Sequence, residues 1–86
     1  MNLKKGSFFV KMRTGPEKVT GYIDAEAGLT YHKDKLGKCW ICSDYRTGQM
    51  VSAGLTRQQA ADVAEMRHIK DLRYSAAYQA MAALNG

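Results

Sequence analysis

The chain predicts an α+β domain: an antiparallel sheet of three to five strands, followed by one or two C-terminal helices packed on one face. Three observations carry that expectation. Residues 7–14 and 18–24 alternate apolar and polar side chains at period two, the pattern of half-buried strands. Turn chemistry recurs between the apolar runs, at Gly15-Pro16, Gly37 and Thr47-Gly48. From Thr56 onward the apolar spacing lengthens to a helical period. Strands first and helices last place the helices on one side of the sheet.

In the first strand, Phe8, Val10 and Met12 share one face, and Phe9, Lys11 and Arg13 the other. Gly15-Pro16-Glu17 turns the chain into a second strand, where Val19, Gly21 and Ile23 oppose Thr20 and Tyr22. The two runs pair as a hairpin. Residues 25–28 form a loop or one helical turn, residues 29–32 a short strand, and residues 33–38 an exposed turn. Residues 39–45 are a strand, and a turn at Arg46-Thr47-Gly48 leads into another at 49–53. Thr56 and Gln59 have the spacing of a capping box. Ala60, Val63, Ala64 and Met66 follow as an apolar stripe. The stripe loses phase near Arg67, where Asp71 is a new N-cap candidate. Tyr74, Ala77, Tyr78, Met81 and Leu84 make a second stripe, on a second helix or on one long bent helix.

At 86 residues the chain is read as one domain, 1–86. A chain this short buries roughly 60–65% of its unfolded surface, enough for one modest core. No apolar run approaches the length needed to span a bilayer. Lys11 and Arg13 interrupt the short N-terminal apolar patch, which argues against a signal peptide and for a cytosolic location. Thirteen basic and eight acidic side chains give a net charge of +5. A positive field attracts polyanions and acidic surfaces.

No arrangement of carboxylates, histidines or serines forms a catalytic constellation, so the chain is read as a non-enzyme. Cys39 and Cys42, with His32 and His68, offer the donor types of a tetrahedral zinc site. Against zinc, Trp40 and Ile41 between the cysteines favour extended backbone, which aims residues 39 and 42 to opposite faces. The expectation is therefore no cofactor, with zinc the alternative. Trp40 is expected in the core. Phe9, Lys11, Arg13 and Tyr22 form a second candidate surface, in which aromatics alternate with cations as on sheets that hold nucleic acid.

Trp40, Asp44, Thr47-Gly48, Gly54, Thr56-Arg57 and Ala60 carry a resemblance to small phage and mobile-element accessory proteins. These include inhibitors of host defence such as anti-CRISPR proteins. That resemblance implies a binding protein of the host cell cytosol that blocks a defence nuclease, or its ribonucleoprotein, by stoichiometric binding. The same residues resemble the arm-binding domain of phage integrases, which implies a basic hairpin of Lys11, Arg13 and Lys18 laid into DNA. The alternative to the inhibitor is thus a nucleic-acid-binding domain. For either, the candidate contact residues are Lys11, Arg13, Lys18, Tyr22, Tyr31, Lys33 and Lys35.

Overall fold

The computed structural model describes residues 3–67, 80 and 83–85. Five strands run in chain order as one antiparallel meander: β1 (Lys4–Met12), β2 (Gly15–Asp24), β3 (Leu29–Lys33), β4 (Trp40–Asp44) and β5 (Met50–Gly54). A helix, α1 (Arg57–Arg67), follows and packs on β4 and β5. The α+β expectation therefore holds, at the upper end of its strand range. The expected continuation through Asp71, Tyr74, Ala77, Tyr78 and Met81 lies outside the described residues. No described helix is long and apolar enough to cross a membrane.

The first hairpin pairs Met12 with Gly15 at its tip, and Phe9 with Lys18, Ser7 with Thr20 and Lys5 with Tyr22 below it. Directly paired residues share a face, so the sheet has two distinct sides. One side carries Phe8, Val10, Thr30, His32 and Ser43, all buried. The other, the helix side, carries Phe9, Tyr22, Tyr31, Trp40 and Cys42. Under α1 it buries a core of Leu29, Tyr31, Cys42, Val51, Ala60, Ala61 and Ala64.

Three of the four inter-strand turns use one device. Asp24, Asp34 and Asp44 each open a turn that closes on a glycine at positive φ: Gly28, Gly37 and Gly48 at 70°, 70° and 73°. Each glycine N–H donates to the aspartate's carbonyl, at 2.9, 3.0 and 2.8 Å. The carboxylates accept from the turn itself: Asp24 from the Ala27 N–H, Asp34 from that of Lys38, Asp44 from Thr47 N and Oγ1. Only glycine adopts that φ cheaply, and a short carboxylate at the first position satisfies turn donors. Residues 25–28 are thus a turn rather than a helical segment.

Thr56 caps α1 as expected, its Oγ1 accepting from the Gln59 N–H at 3.1 Å. Gln59 Oε1 reaches one residue further back than in the standard box and accepts from the Leu55 N–H at 3.1 Å. The helix turns a different side to the sheet from the one its stripe suggests. Ala60, Ala61 and Ala64 face inward, whereas Val63 and Met66 are 42% and 63% exposed. Close approach explains the rotation. A Cβ on Gly54 would stand 2.8 Å from Gln59 Cβ and 2.9 Å from the Ala60 nitrogen. Ser52 Oγ also donates to the Ala60 carbonyl at 2.6 Å. Only alanine-sized side chains fit between backbones this near.

The sheet curls until β1 meets the β4–β5 turn, where the Lys11 N–H donates to the Gly48 carbonyl at 2.8 Å. Asn85 finishes that edge. Its amide oxygen accepts from the Phe9 N–H, and its nitrogen donates to the carbonyls of Phe9 and Tyr45, all at 2.7 Å. Asn85 is a clasp that satisfies edge-strand groups otherwise open to pairing.

Candidate functional site

Beyond the area that α1 covers, the helix side of the sheet reaches solvent across β1, β2 and the ends of β3 and β4. Here each aromatic stands directly opposite a lysine: Phe9 opposite Lys18, Tyr22 opposite Lys5, and Trp40 opposite Lys33. Lys11 continues the row on β1, and Arg57 reaches it from the first turn of α1. The lysines and Arg57 are exposed, Phe9 is 41% exposed, and Tyr22 and Trp40 are half-buried. The two aspartates on this side, Asp24 and Asp44, are buried in their turns, so no exposed strand carboxylate offsets the cations.

Tyr22 and Trp40 are in contact, their ring centroids 6.1 Å apart and their planes tilted by 38°. The Arg57 guanidinium lies 5.0 Å from the Tyr22 ring and 6.0 Å from that of Trp40. Lys33 Nζ is 5.5 Å from the Trp40 ring. Cations at these distances are attracted by the ring quadrupole, at about 0.5–1 kcal/mol for exposed sites. Both rings also pack against the core cluster, which fixes their position. Trp40 was expected in the core; it sits at the core's margin, with part of its ring in reach of solvent.

Lys11, Lys18, Tyr22 and Lys33 thus fall on one surface. Arg13 stands at the hairpin tip, on the rim of a shallow groove of about 360 Å³ shared with Lys11, Pro16, Thr47 and Leu84. Lys35, in the β3–β4 turn, leans toward Glu17 at 3.9 Å, a well-solvated and therefore weak pair. Tyr31 is corrected from contact residue to core residue: it is 1% exposed, beneath α1. Burial, and then the neighbouring Cys42, hold its hydroxyl protonated well above the usual tyrosine range.

The zinc quartet is not brought together. Cys42 pairs with Tyr31 on the helix side, while His32 pairs with Ile41 on the opposite side. Burial pushes the Cys42 thiol up to about 12. Cys39 is half-exposed just before β4, and His68 lies outside the described residues. Among the described residues no three His, Cys, Asp or Glu side chains converge on a point. His32 packs edge-on against Phe8 at 6.1 Å, with its Nδ1 buried and without a hydrogen-bond partner among the described residues.

Lys5 and Arg57 are the members that sequence reading missed. The turn expected at Gly15-Pro16-Glu17 falls instead at Arg13-Thr14, with Gly15, Pro16 and Glu17 already paired in β2. Lys5 was missed because only that register puts it opposite Tyr22. Arg57 was missed because its place depends on how α1 docks. The chain matches no protein-family model, no curated protein and no solved structure.

Proposed function

We propose that this protein is a non-catalytic nucleic-acid-binding protein of the host cell cytosol, and that the exposed half of its helix-side sheet is the binding surface. The observation that carries this reading is the pairing of each aromatic with a lysine across neighbouring strands, on a face without an exposed strand carboxylate. Lysines neutralise phosphates and release counterions, while aromatic rings stack on bases. The two kinds of contact must alternate to follow a nucleotide chain, and here they do.

The phage-type resemblance favours a second reading, inhibition of a defence nuclease. Trp40 and Arg57 belong both to that resemblance and to the aromatic–cation cluster. On this reading the partner is a nuclease protein rather than a nucleic acid. Salt separates the two. Binding of a labelled oligonucleotide, followed by anisotropy, should weaken with a log–log slope of roughly 0.7 per phosphate neutralised on a single strand. No oligonucleotide binding at low salt would refute the nucleic-acid reading and leave the protein partner, while binding without salt dependence would show that the lysines do not neutralise phosphates.

A further inference from the structure

We infer that the nucleic acid is single-stranded, and that Tyr22 and Trp40 form a platform on which an unpaired base stacks while Arg57 swings off the rings to take a phosphate. This inference rests on the nucleic-acid reading above.

Width argues against a duplex. The aromatics lie on β1, β2 and β4, which span three strand spacings, roughly 14 Å before side chains are added. The B-DNA major groove is about 12 Å wide and admits a two-stranded ribbon. Here β3 and β4 flank the β1–β2 hairpin on the same sheet, and α1 rises beside them. A duplex also hides the π-faces of its bases in its own stack. Exposed rings serve a strand whose bases are free.

The cluster is built for exchange. Core packing backs Tyr22 and Trp40, so the platform exists before a ligand arrives. Their outward surfaces are occupied by Arg57 and Lys33, which are exposed. A nucleobase offers an aromatic ring a larger flat surface than a guanidinium does, and it displaces the cation. The displaced Arg57 keeps its planar fork of donors, which matches a phosphate in two-point contact. Each base seated therefore frees a cation beside the phosphate that the base brings. Phe9 lies roughly 13 Å along the hairpin from the Lys5–Tyr22 pair and offers a second ring to the same strand.

Trp40 is the only tryptophan in the chain, so the platform carries its own reporter. The experiment titrates the protein with an oligothymidylate of about twelve nucleotides, within the range one small domain occupies. An abasic strand of equal length and a hairpin duplex of the same base content serve as comparisons. The expected result is quenching of Trp40 emission by oligothymidylate in proportion to binding, with weaker binding and no quenching by the abasic strand. Trp40→Leu should weaken oligothymidylate binding roughly 5- to 150-fold with the salt slope unchanged. Arg57→Gln, at an exposed helix position, should keep the quenching and lower the slope by roughly 0.7. The comparison of normal and abasic strands stands even where Trp40→Leu does not fold. Equal binding of the abasic strand, binding without quenching, or tighter binding of the duplex overturns the inference while leaving a nucleic-acid binder. Binding to none of the three overturns both.

Discussion

Two halves of one sheet face, joined through β3 and β4, meet opposite fates. Under α1 the face presents Leu29, Tyr31, Cys42 and Val51, closed over by three alanines. Beyond the helix it presents Phe9, Tyr22 and Trp40, each answered by a lysine. The covered half has large apolar side chains on the sheet and small ones on the helix, with Gly54 and Ala60 setting the close approach. In the open half the large aromatics meet α1 at Arg57, whose guanidinium lies over the Tyr22 and Trp40 rings. Aromatic residues in a sheet therefore do not by themselves announce a core. The cross-strand neighbour decides, and here it is a cation wherever the face is open.

The contrast is sharpest in stability. Gly54→Val forces a branched side chain into the Gln59–Ala60 backbone and should cost about 3 kcal/mol in urea unfolding. Lys18→Glu in the open half should change stability by less than about 0.5 kcal/mol. It should instead weaken oligonucleotide binding, because it replaces a phosphate partner with a like charge. A Lys18→Glu protein as unstable as Gly54→Val would erase the distinction between the halves.

A second prediction concerns the side opposite the helix. Burial lowers the His32 pKa below its ordinary 6.5, Glu17 and Asp34 opposing the shift. The folded state therefore resists a proton that the unfolded chain accepts. Stability is full above the unfolded value and falls as the pH drops from about 6.5 toward the lower folded value. The slope is at most about 1.4 kcal/mol per pH unit. His32→Leu should flatten that limb of a pH–stability curve, and an unchanged limb would show that other groups produce it. A smaller effect is expected at the helix start, where Thr56→Ala removes the bond to the Gln59 N–H. About 1 kcal/mol should be lost, measured by the same unfolding experiment.

Much of the architecture was legible because period and turn chemistry are local. Phe8 and Val10 against Phe9 and Lys11, the turn at Gly48 and the cap at Thr56 were all readable from neighbouring residues. What escaped depends on distance. Which side of α1 faces inward is set by the Gly54 backbone, so the apolar Val63 and Met66 misled. Asn85 gave no hint that its amide would bridge Phe9 and Tyr45. Tyr31 was misplaced because a tyrosine beside His32 and Lys33 looks exposed, and only the helix docked above it makes it core. The Asp-to-Gly device shared by the turns at Asp24, Asp34 and Asp44 went unread, because its geometry appears only once the glycine φ values are known.

The most direct test of the binding surface is amide chemical-shift mapping of the folded protein as a single-stranded oligonucleotide is added. Shifts concentrated at Ser7, Phe9, Lys18, Thr20, Tyr22, Lys33, Trp40 and Arg57, with Thr30, His32 and Ser43 unmoved, are the predicted result. Shifts centred elsewhere, or none at saturating oligonucleotide, would contradict the assignment of function to the open half of the sheet.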